Sequence, residues 1–146
     1  MNQHASITFY GGANTVTGAN FLFDIGDKKI LIDCGVLQRA SSSTDKCDTV
    51  NATPFLYDPS TVDVLLVSHA HADHIGRIPK LVRDGFKGAI YSTAATRDLV
   101  ALMFEDALSI MQTEQERHGC VPLYEKGDVD SALALWITRE YHESFD

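Results

Sequence analysis

The chain has 146 residues, 45% of them hydrophobic, and a formal net charge of −8 at neutral pH. That size and apolar content fit one globular domain able to bury a core, and exclude a disordered or collagen-like chain. No apolar run approaches the roughly 18 residues of a membrane span, and the acidic balance argues against a broad basic surface for nucleic acid.

The opening Met1-Asn2-Gln3-His4 is polar, so no secretory signal is expected there. Cys34, Cys47 and Cys120 are odd in number and lack paired spacing. No disulfide framework is expected from them, and a reducing cytoplasm is the expected setting. Cys34, inside an apolar run, reads as a small buried residue.

Ser6-Ile7-Thr8-Phe9-Tyr10 alternates and is rich in β-formers, which predicts a first strand. Gly11-Gly12 ends it. The loop to Gly18 is no Walker-type phosphate loop, because no Gly-Lys-Ser/Thr follows. A plain turn and a close approach to a ligand are equally open readings. Phe21-Leu22-Phe23-Asp24-Ile25 and Lys29-Ile30-Leu31-Ile32-Asp33 are two more strands, and the turn at Gly26-Asp27-Lys28 makes them a hairpin. Asp33 closes the third strand ahead of Gly35.

Residues 36–60 form a long polar loop centred on Ser41-Ser42-Ser43-Thr44-Asp45, and loops of that length tend to be functional or mobile. Asp58-Pro59-Ser60 turns the chain into Val62-Asp63-Val64-Leu65-Leu66-Val67, a buried strand. Ser68-His69-Ala70-His71-Ala72-Asp73-His74 follows directly. A short helix over 79–84 is predicted next, with Pro79 at its first position. Arg77, Lys80, Arg83 and Lys87 gather near it. They read as the solvated face of that helix, with contact to substrate phosphates as the alternative.

Gly88-Ala89-Ile90-Tyr91-Ser92 is a further strand, and Ser92 or Thr93 can cap a helix from Ala94. Leu99, Leu102, Met103, Ala107 and Ile110 recur at helical spacing. They read as packing rather than a cofactor box. The helix is expected to stop at Gly119. Asp128 is placed to cap a last helix through Trp136, and residues 137–141 return to strand-like composition.

The stretch at 68–74 carries the chemistry. Side chains two apart in extended chain leave the backbone on the same side, so His69 and His71 are positioned to converge on one ion. Asp73 follows at the same period, and His74 adds a ligand as the chain turns away. So short a stretch does not wrap four side chains around one tetrahedral centre. Two adjacent ions fit better, one on His69 and His71 and one on Asp73 and His74. Imidazole with carboxylate suits zinc first, then iron or manganese. A polar turn that happens to be rich in histidine is the plain alternative.

His-x-His-x-Asp-His after an apolar strand resembles the signature of the metallo-β-lactamase fold superfamily. Residues 11–20, Leu31-Ile32-Asp33-Cys34-Gly35, residues 91–99 and the segments from Val121 and Arg139 are similar, in the same order, to its RNA-processing β-CASP branch. The resemblance implies an α/β fold, mainly antiparallel sheet with helices on one side, like the first part of an αββα sandwich. It implies two zinc ions on His69, His71, Asp73 and His74. Asp73 would also serve as catalytic proton acceptor, and Asp33 would lie beneath the site and orient the ligands. It implies a zinc-dependent phosphodiester hydrolase, an RNA endonuclease or exonuclease.

The family's later histidines and bridging aspartate have no counterpart here, and His142 lacks their context. Residues 1–146 are therefore expected to be a partial domain, inactive or nearly so when isolated. A hydrolase of thioesters, lactones or lactams, and a non-catalytic metal-binding chain, are the other readings. RNA is the expected substrate of the parent enzyme. A homodimer would cover the sheet face left open, and no membrane association is expected.

Overall fold

The computed structural model describes residues 5–38 and 47–144. Six strands form one sheet in chain order: β1 (Ser6–Gly11), β2 (Asn20–Asp24), β3 (Lys29–Ile32), β4 (Val64–Leu66), β5 (Ala89–Ser92) and β6 (Trp136–Thr138). The first three pair antiparallel, and β3 through β6 pair parallel. The sheet is therefore mixed, not mainly antiparallel. A two-residue turn suffices for the hairpin, whereas each later strand is reached through helical connections, which return the chain in the same direction.

Those connections are α1 (Thr49–Ala52), a 3-10 turn at Pro59–Thr61, α2 (Ala72–Ile75), α3 (Ile78–Arg83), α4 (Ala94–His118) and α5 (Lys126–Ala134). The loop expected over 36–60 thus contains α1 and the 3-10 turn. Its serine-rich centre lies outside the described residues. The last helix begins at Lys126 with Glu125 as its cap, while Asp128 sits three residues in and completes a capping box. It ends before Trp136, which joins β6.

Register divides the sheet into two faces. Leu22, Leu31, Leu65 and Ile90 are side by side and buried. The helices cover this face with Ile75, Ile78, Leu81, Val100, Phe104, Val129 and Ala132. The other face carries Phe9, Phe21, Ile32, Leu66, Tyr91 and Ile137 in one row. All of these are half-buried or exposed.

The buried side of α4 is Val100, Phe104, Ala107, Leu108 and Met111. The stripe expected to pack lies one residue off: Leu99, Leu102, Met103 and Ile110 are exposed and only Ala107 is shared. The helix ends at Gly119 as expected, in the left-handed conformation, with its N–H returning to the Gln115 carbonyl.

Cys47 and Cys120 form a disulfide. That corrects the expectation drawn from their spacing, because two cysteines 73 positions apart meet only once α4 has brought its far end back to the loop before α1. Cys34 is free and buried.

Candidate metal centre

The 68–74 stretch lies at the carboxyl end of β4, where sites form in α/β sheets. His71 caps α2, and Asp73 and His74 lie within that helix. Its turn brings the His74 ring back against that of His69, with the ring centroids 3.9 Å apart. Backbone bonds fix the stretch on both sides: the Ala19 N–H donates to the Asp73 carbonyl (2.9 Å), and the Cys34 N–H to the His74 carbonyl (2.8 Å). Gly35 lies flat against this turn. A Cβ there would stand 1.6 Å from the Asp73 carbonyl oxygen, so only glycine permits the approach.

Asp33 follows β3 with φ of 58° and is almost fully buried. Aspartate tolerates this left-handed region better than most residues. The bend aims its carboxylate at β4's exit. One oxygen accepts from the Ser68 N–H (2.8 Å); the other accepts from Ser68 Oγ (2.7 Å) and lies 2.7 Å from His74 Nδ1. Ser68 Oγ is also 3.0 Å from His69 Nδ1. The inner nitrogens of both rings are thereby occupied. This leaves Nε2 of His69, facing His71 Nδ1 at 3.1 Å, and Nε2 of His74, facing Asp73 Oδ2 at 3.6 Å. Ser68 received no role from sequence; its signal was its place immediately before the first histidine.

The donor set fits zinc. Two nitrogens on one tetrahedral ion, each about 2.0–2.1 Å from it, stand about 3.3 Å apart, close to the separation of His69 and His71. Among the described residues no three such groups converge as a ready cage. The donors stand as two pairs, each able to fill two positions of a tetrahedral ion. Partial burial, with the neighbouring His74 and His71 rings, holds the His69 imidazole below its usual range. That favours the neutral form a metal needs.

Of the four basic residues nearby, Arg83 and Lys87 are exposed as expected, and two are not. Arg77 and Lys80 are buried rather than solvated. Arg77 donates to the Gly35 carbonyl (2.6 Å), Lys80 pairs with Asp84, and both stand over the Phe55 ring. Arg83 donates to the Leu123 carbonyl (2.7 Å), and Lys87 is exposed. Behind the site, burial pushes the Cys34 thiol up to about 12. It receives a long bond from Asn20 Nδ2 (3.5 Å).

Residues 14–133 match the family model of the metallo-beta-lactamase superfamily. A relative named Ribonuclease TTHA0252, from Thermus thermophilus, is 39% identical over 134 residues, 92% of this chain and 28% of that protein. Transcription termination factor FttA of Methanosarcina mazei is 35% identical over 150 residues, 99% of this chain and 22% of that protein. The chain thus spans about a quarter of the length of these relatives. A protein of unknown function from Enterococcus faecalis V583 shares the fold, with a TM-score of 0.50 and 18% identity over 70% of this chain and 28% of that one. Among the described residues, no helix is long and apolar enough to cross a membrane.

Proposed function

The chain belongs to the metallo-beta-lactamase superfamily, and from that premise we propose that it carries the metal-holding part of a phosphodiester hydrolase acting on RNA, of the β-CASP branch. The observation that carries this reading is the pairing of His69 with His71 and of Asp73 with His74 at one strand end, with Asp33 behind them. The relative named a ribonuclease supports RNA as substrate.

In this reading His69 and His71 hold one zinc ion, and Asp73 and His74 hold the other. Zinc supplies Lewis acidity, polarising the phosphoryl oxygen and acidifying water. Asp33, through Ser68 Oγ and His74 Nδ1, fixes both rings with their outer nitrogens turned to the site. Asp73 has one carboxylate to share between ion and water, and its oxygen accepts the proton of the attacking water. With two positions filled per ion by these side chains, the chain by itself is expected to hydrolyse RNA slowly or not at all. A second copy is expected to cover the open sheet face. Cytoplasmic residence goes with an RNA substrate.

Elemental analysis of the purified chain after zinc loading and dialysis tests the reading. Retained zinc that is lost in His71→Ala and stripped by a chelator is expected. A chain that retains none, or a variant that retains as much, defeats it. RNA cleavage with and without chelator then separates the substrate question from the metal question.

A further inference from the structure

The Cys47–Cys120 bond closes a loop containing the whole 68–74 stretch together with α3, β5 and α4. From Cys47 a chain of bonds leads to the site. Asp48 accepts from the Asn51 N–H (3.1 Å) and from Asn51 Nδ2 (2.6 Å). Asn51 is fully buried and clasps both backbone groups of Leu37: its Oδ1 accepts from the Leu37 N–H (2.8 Å) and its Nδ2 donates to the Leu37 carbonyl (3.0 Å). Val36, one residue back, donates to the Ala72 carbonyl (3.1 Å). Along this route runs an apolar cavity of about 380 Å³, with both cysteines, Val36, Ala72, Gly76 and Met111 in its wall. The bridge thus ties the segment around α1 to the end of α4, and that segment is clasped to the backbone behind the metal-ligand turn.

We propose that Cys47 and Cys120 form a redox-operated latch on this turn. As a disulfide it pins residues 47–52 against α4 and, through Asn51 and Leu37, steadies the backbone at 72–76. As two thiols it releases that segment and opens the cavity beneath it.

The exchange is complete in atoms and electrons. A thiolate of an external dithiol attacks Sγ of Cys47, the less buried of the two residues. Cys120 Sγ leaves and takes a proton. The reductant's second thiol then displaces Cys47 Sγ, which is protonated in turn, and the reductant departs as its own disulfide. Two electrons pass to the protein. Disulfides in reducing compartments are characteristically transient or redox-sensing rather than permanent. Cys34 takes no part, being fully buried behind the site.

The test uses the full chain, free of metal, oxidised and then reduced with dithiothreitol. Unfolded without reductant, the oxidised chain should show one titratable thiol, that of Cys34, and all three after reduction. Reduction should lower Tm by about 10 °C, the scale expected when a loop of this length is released. Amide exchange at 36–38, 47–52 and 72–76 should speed up about tenfold, ahead of the strands. The double variant Cys47→Ser, Cys120→Ser should exchange like the reduced chain and ignore the dithiol. Three thiols in the oxidised chain would overturn the proposal. So would exchange at 36–38 and 72–76 that stays unchanged on reduction, or that speeds up no more than the strands do. The wild-type comparison decides the matter even if the variant does not fold, and none of these readouts depends on RNA cleavage.

Discussion

Asp33 does several things at once because its backbone is bent at φ 58°. The bend turns a strand-end carboxylate sideways under β4, where it meets Ser68 and His74. Asp33→Asn keeps the shape and tolerates the left-handed conformation, yet it replaces an acceptor oxygen with a donor and removes the charge that orients His74. Zinc affinity, measured by competition with a chromogenic chelator, should fall about 10–100-fold with little change in Tm. Asp33→Ala should lose a similar affinity and also destabilise the fold, by about 1–2 kcal/mol from the left-handed backbone alone, seen in denaturant midpoints. Equal affinity in Asp33→Asn and wild type would show that the carboxylate does not position the ligands.

The clustering of His69, His71, Asp73 and His74 at one strand end was legible because their spacing is a local property. Asp33 was legible only through resemblance, since 35 positions separate it from Ser68. Arg77 and Lys80 were misread for the same reason. Their partner Phe55 lies in a loop whose path cannot be deduced from composition, and an aromatic face is what makes burying two cations tolerable there.

At the scale of elements, α4 shows what periodicity can and cannot decide. Two apolar stripes run along it one residue apart, and both have helical spacing. Packing selects Val100, Phe104, Ala107, Leu108 and Met111, because α5, Tyr124 and the covered sheet face lie on that side. The stop at Gly119 was readable, since a left-handed residue after a long helix is nearly always glycine. Its φ is 69° and nothing stands within 4 Å of a Cβ placed there. Gly119→Ala therefore isolates the backbone cost: about 1 kcal/mol, or about 2–4 °C in Tm for a chain of this size.

Gly35→Ala is the opposite case. Its φ is ordinary, but the added methyl would overlap the Asp73 carbonyl, and both groups belong to backbone. The turn carrying Asp73 and His74 has to move. Loss of zinc binding together with a Tm drop well beyond that of Gly119→Ala is expected; an unaltered zinc affinity would show that the turn is not fixed by this contact. The mixed sheet follows from the same level of organisation. The hairpin at Gly26-Asp27-Lys28 was visible in sequence, whereas the parallel direction of β3 to β6 depends on the crossovers, which single-strand patterns do not encode.

For the molecule as a whole, the decisive feature is a sheet that, among the described residues, is clothed by helices on one face only. Strands stand about 4.8 Å apart, so the row from Phe9 to Ile137 makes an apolar face about 25 Å wide. Apolar patches of more than a few hundred Å² are uncommon on monomers and mark surfaces that become covered. Face-to-face packing of two such sheets, about 10 Å apart, would bury both rows, and two copies related by a two-fold axis present the same row to each other. Sedimentation velocity across a hundredfold dilution should then show an average mass that rises with concentration. Phe9→Asp places a charge in the exposed edge of the row, where Phe9 is 54% accessible and its loss costs the single chain little. It should shift the equilibrium toward monomer while leaving Tm at low concentration nearly unchanged. A mass that stays monomeric at every concentration would mean that no second copy covers this face. Association unaffected by Phe9→Asp would place the contact elsewhere, with the exposed Leu99, Leu102 and Ile110 stripe of α4 as the next surface to charge.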